Sequence, residues 1–337
     1  MPDTREPPLR VLYSTSETHP THRVDITVLF GKYLPRLGVT SDLLALHHQE
    51  PPPAWPGGER LTRPGPARGA RRHLLSVWHD LRMLWLARRG YQAVIVRDKS
   101  LGGLIGLVAA RLAGIPFIYW MSFPMAEAWA VFARDRGLRF GMLRWLAAHA
   151  RAGVLKRLLY GVVLARADHV FVQSDRMRDE LVQRGVDVER MTPVHMGVDT
   201  ESQSGAAPAE HLAGLPVFAY LGTLNRVRRP DVMIEAIARL RDEGVDARLL
   251  LIGDAEEPVD QRWLRDLIAA RGLDHTVELT GWLPSAQGMA RCAAASAGLS
   301  PFPRGELMES ASPTKVVEYF HLGLIRLVVG DHGQAQV

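Results

Sequence analysis

The strict alternation of short apolar runs with helical periods constrains this chain most. "RVLYST" (10–15) reads as a buried strand and "DITVLFGKYLPRLG" (25–38) as a helix ending at Gly38. "TSDLLAL" (40–46), "AVIVRD" (93–98), "PFIYWM" (116–121) and "HVFVQS" (169–174) read as further strands, with a glycine-rich helix between 98 and 116. "DRMRDELVQRG" (175–185) is a helix with Gly185 as its C-cap. Alternation of this kind predicts a parallel α/β architecture. "PPPAWPGGERLTRPGPARG" (51–69) breaks it, and its Pro, Gly and Arg content predicts an exposed loop.

The small and polar stretch "ESQSGAAPAEHLAGLP" (201–216) reads as a linker, after which the alternation restarts. "VFAYLG" (217–222), "ARLLLIG" (247–253), "TVELTG" (276–281), "AGLSPF" (297–302) and "LIRLVVG" (324–330) are strands. "PDVMIEAIARLRDEG" (230–244) and "DQRWLRDLIAARG" (260–272) are helices. The 337 residues therefore divide into two α/β domains, 1–200 and 201–337, with a cleft expected between them. Open parallel sheets bind ligands at the carboxyl ends of their strands.

Several classes are excluded or disfavoured. The single cysteine, Cys292, rules out an internal disulfide framework, and with no leading signal peptide a reducing cytoplasm is the expected compartment. "LGGLIGLVAARLAGIPFIYWM" (101–121) carries Arg111 and a Gly-Ile-Pro break, so it reads as a helix and a strand, not a membrane span. No G-x-G-x-x-G follows the first strand, and no P-loop, H-E-x-x-H or G-x-S-x-G occurs. No Asp-x-Asp occurs either, so neither a metal nor another cofactor is expected.

The net charge of +5 is unevenly spread. From Arg60 to Arg89 there are eight arginines and one acid, Asp80. From Arg134 to Arg166 there are eight basic residues and one acid, Asp135. The second stretch interleaves its basic residues with large apolar ones. It fits a helix resting on an anionic membrane surface, or equally a core helix with a solvated basic face. Nucleic acid is disfavoured, because no stacking platform of aromatics accompanies the charge.

The chemistry concentrates in two stretches. In "ESASPTKVVEYFHLG" (309–323), Ser312 suits an N-cap and Pro313 the first helical position. Thr314, Lys315 and the free amides of that turn favour a phosphate. Glu318, three residues past Lys315, can accept two hydrogen bonds from a vicinal diol such as a ribose. The alternative is a capped helix with a Lys315–Glu318 surface pair. In "YLGTLNRVRRPD" (220–231), Gly222 ends a strand, and Arg226, Arg228 and Arg229 suit a pyrophosphate in which charge grows as a glycosidic bond breaks. The alternative there is a solvated basic loop.

With these residues and "ADHVFVQSDRMRDELVQRGVDVERMTPVHMGVDTE" (167–201), the chain resembles the GT-B glycosyltransferases of retaining family 4, the group 1 glycosyl transferases. The resemblance runs from about Arg10 to Val337. It implies two Rossmann-like domains, acceptor side first and nucleotide-sugar donor side second. Arg228 falls on the family's diphosphate-contacting lysine, while Thr223 falls on its partner arginine, so Arg226 would substitute. Arg226, Arg228 and Lys315 are then the expected catalytic cations. Glu318 matches the ribose-binding glutamate. The other motif glutamate falls on Ser310, leaving neighbouring Glu309 to contact the donor sugar.

Gly222, Thr223, Ser312 and Thr314 complete the donor-binding set, with Gly253, Asp254, Trp282 and Leu283 near the base. A family histidine falls near Met121 or Ser122, where none stands. Ser16, His19, His22 and Ser122 are the acceptor-side candidates. The implied reaction moves a sugar, with retention, from a UDP- or GDP-linked donor to a hydroxyl of a lipid-linked sugar or growing polysaccharide. A peripheral position at the inner face of a membrane is expected. A catalytically defective nucleotide binder and a nucleotide-sugar epimerase are the alternatives. The family continues past "GDHGQAQV", so the chain is expected to be a truncated or unusually short member.

Overall fold

The computed structural model describes residues 8–21, 23–66, 70–136, 141–201, 214–301 and 314–329. They group into two compact units, one reaching Met196 and one starting at Gly197.

The first unit is built on seven parallel strands: β1 Leu9–His19, β2 Val39–His47, β3 Arg63–Pro64, β4 Ala93–Arg97, β5 Phe117–Met121, β6 His169–Val172 and β7 Met191–Pro193. Their order in the sheet is β3-β2-β1-β4-β5-β6-β7. Successive residues of β1 and β4 point to opposite faces. Leu12, Val94 and Val96 enter one apolar cluster, and Val11, Tyr13 and Ile95 another. Both faces are thus covered, which is why these strands read as unbroken apolar runs.

The second unit holds β8 Val217–Leu221, β9 Arg248–Ile252, β10 Val277–Leu279, β11 Ala297–Pro301 and β12 Ile325–Val329. All ladders are parallel, in the order β10-β9-β8-β11-β12. The chain builds outward from β8 through β9 and β10, then crosses to β11 on the other side of β8. That reversal makes the carboxyl end of β8 a topological switch point, and β1 holds the same place between β2 and β4 in the first unit.

Two local expectations are corrected. The stretch 51–69 is not simply an exposed loop. Trp55 and Leu61 are buried, and the Trp55 indole donates to the Ser41 carbonyl at 2.6 Å. Its Pro and Gly residues mark turns of a segment anchored by an aromatic and by β3. The helix expected over 25–38 is three short helical turns, Val24–Thr27, Leu29–Tyr33 and Leu34–Arg36. The helix Ser285–Ala293 and the strand β7 have no counterpart in the sequence reading, the first for its small residues and the second for its brevity. As expected, 101–121 resolves into the helix Ser100–Ala113 and strand β5. Among the described residues, no helix is long and apolar enough to cross a membrane.

Candidate functional site

At the switch point of the second unit, β8 and β9 end in two glycines that touch. Gly222 donates its N–H to Ile252 O at 2.8 Å, and a Cβ on Gly253 would lie 2.2 Å from Gly222 O. Their φ values of +140° and +132° lie in the region that side chains rarely adopt. The two loops stay zipped beyond the strands: Leu224 N–H reaches Asp254 O at 3.0 Å, and Glu256 N–H reaches Asn225 Oδ1 at 2.9 Å.

The helix Thr314–His321 closes over this end. Its anchor is Tyr319, which is fully buried. The β8–β11 ladder is registered only through Ala219 and Gly298. Beyond it, the Tyr319 hydroxyl accepts from Leu221 N–H at 3.1 Å and donates to Leu299 O at 2.9 Å. The phenol replaces the next rung of the ladder. It can sit there because Gly298 has no side chain: a Cβ would lie 2.5 Å from the ring. Lys315 lies one helical turn before Tyr319, on the same side. Its ammonium is 5.2 Å from the centre of the Tyr220 ring, and a Cβ on Gly222 would meet Lys315 Cε and Nζ at 2.8 Å. The Tyr220 hydroxyl is itself tied to Thr223 O at 3.1 Å.

This seat leaves Lys315 poorly hydrated although its side chain is not fully covered. Burial first, and the Arg228 charge second, lower its pKa to about 8 against the opposing pull of Glu318. Burial also raises the Glu318 carboxyl, against the pull of Lys315. Among the described residues neither side chain has an ion-pair partner within 4.0 Å, so the expected alternative of a Lys315–Glu318 surface pair does not describe them. Glu318 also helps push the buried Cys292 thiol up to about 12, after burial itself, which makes that thiol inert.

The three arginines of the β8 loop differ. Arg229 adopts φ +55° and grips Asp231 with contacts of 2.8–3.0 Å. Arg226 donates to Asp260 at 2.9 Å and stacks on Trp263, 4.5 Å from the ring centre. Arg228 alone of the three has no carboxylate partner among the described residues, and its charge reaches both Lys315 and Tyr220. The structure thus brings together Gly222, Gly253, Arg228, Lys315 and Glu318, with Thr223 and Thr314 beside them. It holds Arg226 on Asp260. Asp254 Oδ1 accepts from Ala255 N–H at 2.8 Å. Trp282 is 58% exposed, whereas Leu283 packs against the apolar cluster that contains Ile252 and Tyr319. Ser312 and Glu309 lie outside the described residues, as does His22.

In the first unit the acceptor-side candidates are more confined than expected. His19 is buried, with Nε2 on Pro53 O at 2.9 Å and its ring edge-on to Trp55. The buried Ser122 hydroxyl accepts from Arg97 at 2.6 Å and donates to Asp98. Ser16 uses its carbonyl to accept from Arg72. The residue that organises this end of the sheet was missed in the sequence. Arg97, 1% exposed, ends β4 and pairs with Asp25 at 2.5 Å and Asp98 at 3.3 Å. Burial disfavours its charge, but Asp98, Tyr13, Asp25 and Glu17 outweigh that and hold it protonated. The available signal was a charged Arg-Asp pair ending a buried run. Among the described residues, no group of three or more His, Cys, Asp or Glu side chains is placed to hold a metal ion.

The profile of Glycosyltransferase Family 4 matches residues 26–202, and that of Glycosyl transferases group 1 matches residues 215–336. The D-inositol 3-phosphate glycosyltransferase of Streptomyces bingchenggensis is 28% identical over 185 residues, 52% of this chain and 37% of that protein. The 2-deoxystreptamine glucosyltransferase of Streptomyces kanamyceticus is 26% identical over 248 residues, 68% of this chain and 62% of that protein. The matches therefore span less than two thirds of these curated relatives. Among solved structures, Anabaena Alr3699/HepE in complex with UDP aligns with a TM-score of 0.64 at 15% identity, covering 96% of this chain and 82% of that one. Sucrose-phosphate synthase from Thermosynechococcus elongatus aligns with a TM-score of 0.63 at 16% identity, covering 95% and 82%. The fold shared with them is the GT-B fold of two parallel-sheet domains.

Proposed function

Since the chain belongs to the group 1 glycosyl transferases of glycosyltransferase family 4, we propose that it moves a sugar from a nucleotide diphosphate sugar to a hydroxyl acceptor, with retention at the anomeric carbon. One observation carries the donor site. Two cations, Lys315 and Arg228, repel one another at a switch point, and the ammonium lies over the side-chain-free face of Gly222. A diphosphate supplies the negative charge that relieves this repulsion. UDP in the solved HepE complex supports the same donor class.

The roles follow from charge and reach. Lys315, Arg228 and the amides of the Thr314 turn receive the diphosphate and stabilise the charge that grows as it departs. Glu318 accepts the ribose diol. Arg226 joins them only by leaving Asp260. The departing phosphate takes the acceptor proton as the acceptor attacks the same face. The second unit is the donor side and the first the acceptor side, with UDP or GDP as the carrier. The acceptor is a lipid-linked sugar or a growing polysaccharide. The relatives that act on inositol phosphate and on 2-deoxystreptamine support a polyhydroxylated acceptor of some kind.

The test is calorimetric titration of the full chain with UDP and GDP. Glu318→Ala is expected to weaken the preferred nucleotide by about 1.5–3 kcal/mol, the range for hydrogen bonds to a charged group. Unchanged affinity in a folded variant would remove Glu318 from the site. Binding without transfer from any nucleotide sugar would leave a nucleotide-binding relative.

A further inference from the structure

We infer that one helical layer of the first unit is a docking face for an anionic lipid bilayer. This extends the proposal of a membrane-held acceptor and names the surface. The layer comprises the helices Ala70–Asp80, Met83–Leu86, Ser100–Ala113 and Met142–Leu158, with Ser100–Ala113 packed against each of the other three. Leu74 and Trp78 lie one turn apart on the first of these helices, Leu81 in the turn that follows it and Trp85 on the short second helix. They are 72%, 59%, 38% and 52% exposed. Leu101, Val108 and Leu112 form a second exposed stripe on the central helix. Met142 and Leu146, one turn apart, add a third on the last helix. Soluble surfaces seldom gather aliphatic and indole side chains this way without a partner.

The charge around these stripes identifies the partner. The sequence offers one acid in the four helices, Asp80, and the structure removes it from the surface. Asp80 is 1% exposed and held by Lys99 at 2.9 Å and Ser14 at 2.9 Å. The four helices therefore present no exposed carboxylate of their own. Arg71, Arg88, Arg89, Arg151 and Arg157, on or beside these helices, have no ion-pair partner among the described residues. Arg63 stacks on the exposed Trp78 ring at 5.0 Å, so that indole carries a guanidinium beside it. Indole and aliphatic groups that enter the acyl boundary, ringed by guanidinium groups at headgroup depth, fit an anionic bilayer surface. They do not fit a protein partner that relies on salt bridges from both sides.

The test is co-sedimentation of the full chain with phosphatidylcholine vesicles with or without phosphatidylglycerol. Binding is expected to need the anionic lipid and to fall at least about tenfold between 50 and 500 mM salt, as screening shortens. Trp78→Ser combined with Trp85→Ser should lower partitioning roughly tenfold while UDP affinity and melting temperature hold. Quenching of the wild-type indoles by brominated lipid should fall in that variant, which keeps Trp145 on the last helix of the layer. Absence of binding at low salt, equal binding to both vesicles, or unchanged binding of the double variant overturns the proposal. Lipid-free self-association that the double variant abolishes also overturns it, by assigning the face to a second copy. UDP binding is read on the same samples, so a failed donor site and a failed docking face give different results.

Discussion

The Tyr319 hydroxyl accepts the backbone N–H of Leu221 at 3.1 Å, and through that bond a helix is registered on the end of a strand. Tyr319→Phe keeps the ring but strands the Leu221 N–H and the Leu299 carbonyl. A buried unmade hydrogen bond costs about 1–3 kcal/mol, so denaturant unfolding should show a loss in that range. Lys315 and Glu318 share the helix, so UDP affinity should fall too. A variant that loses stability and keeps full affinity would mean that Tyr319 supports the sheet alone.

Gly222 and Gly253 predict opposite failures. An alanine at 253 meets Gly222 O at 2.2 Å, which is backbone and cannot swing aside. Gly253→Ala should therefore destabilise the second unit by about 1–3 kcal/mol or more. An alanine at 222 meets the flexible end of Lys315 at 2.8 Å. Gly222→Ala should cost less stability, displace the ammonium and lose most nucleotide affinity. Paired thermal melts and UDP titrations distinguish the two, and a reversed ranking would contradict the lysine seat.

Much of this end was legible because local signals coincide there: strand, glycine, capped helix, and Lys315 three residues before Glu318. What was missed depends on distant partners. Arg226 looked like a phosphate contact, yet Asp260, 34 residues later, takes its guanidinium. Arg97 looked like the polar end of a strand, but Asp25 lies 72 residues earlier in the chain. Trp55 sat among prolines and glycines that signal exposure, while its burial comes from β2. The strands were readable because apolar runs record burial on both faces. Pairings across the fold leave no such periodic trace.

Arg226 and Arg228, two residues apart, should separate by kinetics. Arg228→Met removes a charge that faces Lys315. If it stabilises the departing diphosphate, turnover falls by about 1.5–3 kcal/mol, roughly ten- to hundredfold, with a smaller change in KM. Arg226→Met breaks an exposed pair and a stacking contact instead. Such surface contacts are worth about 0–1 kcal/mol, so a small loss of stability with near-normal turnover is expected. Equal losses of turnover would show that Arg226 leaves Asp260 to meet the donor.

Lys315 predicts the pH response. In the free protein burial lowers its pKa to about 8, whereas a diphosphate favours the charged form and raises it. Binding therefore takes up a proton above pH 8. UDP affinity should be full below about pH 8 and fall by up to tenfold per pH unit above it, until the pKa of the complex is reached. Stability has the opposite slope. Between about 8 and the ordinary value of 10.5 the unfolded chain holds the proton that the folded chain has lost, so unfolding free energy rises with pH across that window. Below it both states are charged, and the cost of the poorly hydrated ammonium is fully present. Lys315→Met removes that cost. The variant should melt higher than the parent at pH 7, lose the alkaline slope of both curves and bind UDP weakly at every pH. A parent whose UDP affinity is flat from pH 7 to 9.5, or a Lys315→Met protein that melts lower at pH 7, would place the ammonium in water rather than over Gly222.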